Sequence, residues 1–438
     1  MPRPADRFCI PYARMTDAKK TAAQLDCADS LAPFRERFHL PLGPDGRPAI
    51  YLCGNSLGPM PTSAADEVDA VMRNWATLGV RGHHEGEHPW LTYHTRFAPS
   101  LARLVGADPN EVVAMNTLTV NLHLLLTSFY RPTPTRYRIL IETGAFPSDR
   151  YAVASQITWH KGAVADALIE VSPSIAGGVW HTDDFITAID AAGDTLSLVL
   201  LPGVQYRNGQ ALDIAAITAA AHRVGASVGF DLAHAIGNMP LRLHDDGVDF
   251  AVWCHYKYLS AGPGAVGGAF VHARHGQRTD MTRFAGWWGH SLATRFQMGP
   301  DFHATPGADG WQLSNPPILS LAPLAASLAL FDAAGMSRLR TKSNALDAFA
   351  RELINHRCDG RVEILTPAEP PSRGCQLSLR VVAGQESGRK THKRLEALGV
   401  ICDWREPDVI RLAPMPLYTR FTDVECATRL LAEALEDA

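Results

Sequence analysis

The sequence has no paired cysteines, no long apolar run and no strong excess of charge. Its eight cysteines (Cys9, Cys27, Cys53, Cys254, Cys358, Cys375, Cys402 and Cys426) are scattered without a C-x-x-C pair. That argues against a disulfide scaffold and for a reducing, cytoplasmic compartment. Even the run Ser197–Pro202 is far too short to span a membrane. No apolar signal-peptide core follows Met1–Arg7. A net charge of -4 gives no reason to expect nucleic acid. Internal repeats and low-complexity tracts are also missing. What is present is 438 residues, 46% hydrophobic and 20% charged. That describes an ordinary globule with room for a large domain and a smaller one.

Residues 1–60 read as an irregular arm with one short helix that starts the smaller domain. Helical patterns follow at 62–78, 90–105 and 117–129, the last heavily apolar. The rhythm then alternates. Strands are expected at 138–142, 164–171, 196–201, 227–230, 250–254 and 267–272, the last antiparallel to the rest. Helices are expected at 151–160, 182–192 and 214–224. Short apolar runs alternating with helices predict an α/β sheet covered on both faces. Residues 299–317, rich in Gly, Pro and polar groups, read as a long functional loop. From 318 the chain turns helical to about 356. Strands at 361–366, 376–382 and 409–413 and helices at 388–398 and 422–435 then predict a smaller α+β domain. The expected division is 1–60, 61–317 and 318–438.

Two apolar runs carry the chemistry. Ala226–Asp231 ends in a carboxylate, and Phe250–Cys254 is followed by His255, Tyr256 and Lys257. Strands ending this way present an acid and an amine on one rim of a sheet. Pyridoxal phosphate (PLP) needs that pair: a lysine amine to bond its aldehyde carbon, and a carboxylate to keep its pyridine nitrogen protonated. The competing account is a surface lysine near a helix-capping Asp.

Two other motifs mislead. His84–His88 fits H-E-x-x-H, but Gly86 inside it and Pro89 after it rule out the regular helix a zinc site requires, so no metal is expected. Gly262–Gly267 fits G-x-G-x-x-G but runs into a strand pattern instead of opening a helix, which is wrong for a dinucleotide.

Other residues suit the same cofactor. Leu118 and Thr119 open the apolar helix and suit a phosphate, although Thr117 is equally readable as a plain N-cap. Phe146 can stack on a flat ring and Asp149 can reach its polar edge; a core Phe with an Asx turn is the alternative. His234 follows Asp231 closely enough to orient it. Tyr256 points away from Lys257, toward the phosphate. Trp287 and Trp288 in a Gly-rich loop suggest an interface or an aromatic pocket. Arg411, inside an apolar strand, needs an anion; an α-carboxylate or a structural salt bridge would serve.

Nine segments, in order over almost the whole chain, together resemble kynureninase, a fold-type I PLP enzyme of the aspartate aminotransferase superfamily. They are Tyr51–Gly58, Asn116–His123, Phe146–Asp149, Leu201–Gln205, Phe230–Ala235, His255–Tyr258, Gly286–His290, Ser314–Leu319 and Ile410–Pro414. The resemblance implies a mostly parallel seven-stranded sheet covered by helices, with a smaller α+β domain. It implies hydrolysis of L-kynurenine, and of 3-hydroxy-L-kynurenine, to anthranilate or 3-hydroxyanthranilate and L-alanine. It leaves open which form is preferred and whether the reaction serves tryptophan catabolism, NAD biosynthesis or anthranilate supply.

The resemblance also assigns roles. Lys257 carries the cofactor, Asp231 pairs with its ring nitrogen and His234 sits beside it. Leu118, Thr119 and Tyr256 bind near the phosphate, with Trp287 and Asn315 completing that end across a homodimer interface. Phe146 stacks on the ring and Asp149 shares its pocket. Arg411 holds the substrate carboxylate, while Ser56, His83 and Asn315 surround the aromatic end. Trp288 stands where relatives also carry Phe, and His84 follows His83. Another fold-type I enzyme, such as an aminotransferase or a cysteine desulfurase, is the alternative.

Overall fold

A computed structural model gives the fold and describes residues 18–175, 178–278 and 280–437. Met1–Arg7 and Cys9, and with them the start of the expected arm, lie outside the described residues. The chain divides into two compact units. The larger runs from Ser63 to Tyr206 and from Gln210 to Asp332; the smaller takes the rest, including Arg207–Gly209.

The larger unit is built on a sheet of seven strands: β1 (Val112–Ala114), β2 (Arg138–Glu142), β3 (Leu168–Val171), β4 (Leu196–Pro202), β5 (Ser227–Asp231), β6 (Phe250–Cys254) and β7 (Gly267–Val271). Their order is β1-β7-β6-β5-β4-β2-β3. Strands β6, β5, β4, β2 and β3 run parallel, and β7 is antiparallel to both its neighbours. These strands are apolar on both faces because helices cover both. One face packs Ile139, Leu198, Phe250 and Val252 against Leu122, Leu125 and Val153. Full burial of each such side chain contributes about 1.5–3 kcal/mol. Close approach has a sequence cause at Gly229: a Cβ there would stand 2.1 Å from the ring of Phe250, its partner on the next strand.

The helices follow their sequence signals. Ala64–Leu78 opens with Asp66 and Glu67 and stops at Gly79, as charge at the helix ends requires. Two expectations are corrected. Residues 164–171 are a strand only from Leu168, because Val164–Ala167 form a helical turn. The helix expected at 90–105 is a 3₁₀ segment to Phe97, and the α-helix begins at Ala98, with Pro99 in its first turn. The helical stretch expected from 318 to about 356 is two helices, Ile318–Ala334 and Met336–Cys358, divided at Gly335 with φ +75.

The division of units also differs from the expected boundary at 317/318. Helix Ile318–Ala334 packs on the larger unit as far as Asp332. Ser327 there hydrogen-bonds the Leu259 carbonyl, and the Phe331 ring lies against Gly237. No single helix among the described residues is long and apolar enough to cross a membrane.

The smaller unit holds an antiparallel sheet in the order β8 (Val362–Ile364), β9 (Leu377–Val381), β11 (Val409–Leu412), β10 (Asp403–Arg405). Helices Met336–Cys358 and Phe421–Glu436 cover it through a core that includes Leu346, Leu353, Leu379, Ile410 and Leu431.

Candidate active site

Asp231 is the last residue of β5 and pairs in register with Val252 of the parallel β6. Lys257 comes three residues after β6 ends at Cys254. Both groups therefore stand beyond the carboxyl ends of parallel strands, where open α/β sheets place their ligands. The turn that carries the lysine is pinned by His255, which is fully buried. Its Nδ1–H donates to the Val266 carbonyl at 2.5 Å, and its Nε2 accepts from Trp253 Nε1 at 2.8 Å. Burial lowers its pKa to about 4, so the ring stays neutral and the tautomer fixed. Ser260 closes the turn at φ +53 and donates its N–H to the Lys257 carbonyl.

Lys257 Nζ lies 3.0 Å from His234 Nε2 and 5.8 Å from the centre of the Phe146 ring. Phe146 is 39% exposed and meets Tyr206 edge-on at 5.3 Å, so its ring is placed to cover a flat ligand. Asp231 accepts a 2.7 Å bond from the Ala233 N–H.

Asp149 is buried beside Asp231, close enough for each carboxyl to act on the other. Burial, then the Asp231 charge, pushes the Asp149 carboxyl well above the usual range. Asp231 is raised by burial too, but the Lys257 charge and the Ala233 N–H favour its ionised form. Of the two, Asp149 is pushed further toward its protonated form and Asp231 is the better held as a carboxylate. Glu142, at the end of β2, is a third acid there, raised to about 8 by burial and by Asp231.

The helix Leu118–Phe129 begins nearby. Asn116 stands at φ +47, and its Nδ2 donates to Asn121 Oδ1 at 3.0 Å. Thr117 occupies the N-cap position without making a side-chain cap bond, so the first-turn N–H groups are left for another acceptor. Thr119 Oγ1 and Ser148 Oγ are 2.8 Å apart. Strand β7 passes close by: a Cβ on Gly267 would stand 3.0 Å from Leu118 N and 2.9 Å from the Trp253 carbonyl.

These features fit PLP. A buried Asp149 oxygen has no hydrogen-bond partner, Asp231 is an ionised acid suited to a pyridinium, Lys257 is an amine suited to an aldehyde, and the helix start suits a phosphate.

The remaining expected residues are placed as follows. The Tyr256 hydroxyl lies near the Cys254 side chain, and burial raises its pKa far above the usual value. Trp287 and Asn315 are exposed and hydrogen-bond none of the residues above. Trp288 is buried and stacked under Arg295, at 4.7 Å. His83 is half-buried, edge-on to Trp90 at 5.4 Å. Ser56 and Arg411 belong to the smaller unit; Ser56 is half-buried and Arg411 fully buried. The H-E-x-x-H segment is not helical. A different group, Glu111 with His244 and His272, brings three potential metal ligands together. Its carboxylate is already engaged by the Asp108 and Ala273 N–H groups and by His244 Nδ1.

Sequence reasoning missed His255, Glu142 and Ser148. His255 and Ser148 lay inside quoted motifs, and Glu142 ended an assigned strand.

The sheet order and the Asp231–Lys257 pair define a PLP-dependent enzyme of fold type I. A cysteine desulfurase from Thermococcus onnurineus shares the fold at TM-score 0.73 and 16% identity, over 93% of this chain and 98% of that one. Residues 339–431 match the family described as kynureninase C-terminal domain. The chain is 55% identical to a kynureninase from Myxococcus xanthus, over 94% of this chain and 96% of the relative. It is 57% identical to one from Xanthomonas euvesicatoria, over 94% and 97%. The chain belongs to the kynureninase family.

Proposed function

We propose that this chain hydrolyses L-kynurenine, and its 3-hydroxy form, at the Cβ–Cγ bond. Water is consumed, and anthranilate (or 3-hydroxyanthranilate) and L-alanine leave. One observation carries the reading: Asp231 and Lys257 share one sheet rim in a chain more than half identical to kynureninases. When bound, PLP supplies an electron sink for charge developing at the substrate's α- and β-carbons.

The chain's own residues do the rest. Lys257 holds the cofactor and moves the proton at the substrate's α-carbon. His234 hydrogen-bonds that amine and orients it. Asp231 keeps the ring nitrogen protonated, with Asp149 buried beside it. Leu118, Thr119 and Tyr256 bind the phosphate end, and Phe146 covers the ring. Tyr256, whose phenol stays protonated, is placed to donate a proton late in the sequence. Arg411 binds the α-carboxylate, while His83, Ser56 and Asn315 select the aromatic end. The enzyme works as a homodimer in which Trp287 and Asn315 serve the partner's cofactor. Supporting this, Phe284, Trp287, Phe296 and Met298 expose apolar surface in one segment, which a second copy would cover.

The test is direct. Purified protein given L-kynurenine should release fluorescent anthranilate and L-alanine in equal amounts, and rates on the 3-hydroxy form rank the two substrates. Pyruvate or sulfide chemistry without anthranilate would overturn the reading. The cysteine desulfurase alternative is disfavoured because Cys358 and Cys375 are buried, whereas that reaction needs a mobile thiolate.

A further inference from the structure

We infer that Asp403 is a positioning residue for the arginine that takes the substrate's α-carboxylate. The inference rests on the assignment of that role to Arg411.

Arg411 lies in β11, directly opposite Asp403 of the antiparallel β10. Its side chain is 1% exposed, and a guanidinium so buried must have an anion or hydrogen-bond acceptors around it. Asp403 supplies them from one side. Arg411 Nε donates to Asp403 Oδ2 at 2.6 Å, and Nη2 forms an ion pair with the same oxygen. Two donors of one planar group converging on one oxygen fix both the direction of the guanidinium and its rotation about the strand.

Arg405 Nη2 also reaches that oxygen, at 3.5 Å. The cluster thus holds two guanidinium groups and one carboxylate. On the other side of β11, Ser378 of β9 faces Arg411 in register and accepts a 3.0 Å bond from Gln376 Nε2. The arginine is therefore bracketed by polar groups on both neighbouring strands, within a sheet whose core is otherwise apolar. Such a support holds the donor in its binding geometry before the ligand arrives and lowers the cost of ordering it.

The experiment uses the full-length enzyme loaded with PLP and compares D403N, D403E and R411A. KM and kcat are measured with L-kynurenine. Inhibition constants are measured for L-alanine and for kynuramine, which is kynurenine without its α-carboxylate. D403N should raise KM and the L-alanine inhibition constant about ten-fold or more, the scale of a hydrogen bond to a charged group. kcat should change by less than about three-fold, with the visible cofactor band and kynuramine binding unchanged. D403E should shift the same constants by less.

If D403N and D403E leave both carboxylate constants unchanged or lower them while R411A raises them, Asp403 has no positioning role and the Arg411 assignment stands. If R411A leaves them unchanged, the underlying assignment itself fails. A parallel loss of kynuramine binding in D403N would mean general damage and would also overturn the inference.

Discussion

Lys257 Nζ stands 3.0 Å from His234 Nε2, so the amine of one strand-end turn meets an imidazole from the next. The two residues reach each other because β5 and β6 are parallel neighbours and both turns leave the sheet at the same end. Lys257→Ala should abolish turnover and the visible band of the lysine-bound cofactor; retention of either would break the assignment. His234→Phe should keep the band and lose about ten-fold or more in kcat, as expected when a charged donor loses its acceptor. An unchanged kcat would leave His234 as packing alone.

Asp149 and Asp231 lie side by side, burial and the Asp231 charge favouring the protonated form of Asp149 and the Lys257 charge and Ala233 N–H favouring the ionised form of Asp231. An amide mimics a protonated carboxyl but not an ionised one. Asp149→Asn should therefore stay within about three-fold of wild-type kcat, while Asp231→Asn should lose about 100-fold or more, because the ring nitrogen no longer faces a charge. Steady-state rates with L-kynurenine decide it. Equal losses in the two variants would mean the proton is placed wrongly.

Gly267 lets β7 pass the start of helix Leu118–Phe129. An alanine Cβ would stand 3.0 Å from Leu118 N and 3.1 Å from the Thr117 carbonyl carbon, and both neighbours are backbone that yields little. Gly267→Ala should weaken PLP binding about ten-fold by distorting the phosphate cradle. Fluorescence titration of the apoenzyme with PLP measures this. Unchanged affinity would remove the phosphate from that helix start.

Much of this was legible in the sequence because two signals agreed. Arg138–Glu142 and Phe250–Cys254 are short apolar runs bounded by polar turns, and both are strands with the expected bounds. The Asp231–Lys257 pair was legible because each ends such a run. What escaped is instructive. Val112–Ala114 is too short, at three residues, to show a period. Val164–Ala167 reads as strand by composition, yet the chain must turn there to enter β3. The Asp403–Arg411 pairing depends on the register of two strands, and spacing along the chain does not reveal it. The proton on Asp149 depends on burial next to a second acid, which only the folded chain supplies. Trp287 and Asn315 are exposed, and their packing within this chain gives neither residue a place beside Lys257.

Asp249 offers a test of stability apart from catalysis. It begins in the turn before β6 and braces the base of the sheet. Its carboxylate accepts from the Val228 N–H at 2.8 Å, from His222 Nε2 at 2.9 Å and from His275 Nε2 at 2.7 Å, and it pairs with Arg274. Burial opposes its ionisation, but the bonds from His222, His275 and Arg274 outweigh burial and hold the carboxyl far below the usual range. A depressed folded-state pKa means the stabilisation is complete above the unfolded value, about 4, and is lost as pH falls below it toward the folded value. Asp249→Asn should cost about 3 kcal/mol at pH 7, since it removes the buried carboxylate that pairs with Arg274 and accepts from Val228, His222 and His275. The difference from wild type should narrow progressively below about pH 4. Urea unfolding at a series of pH values measures both. A gap that stays constant into acid would show that Asp249 stabilises the fold by shape and neutral hydrogen bonds, with no contribution from its charge.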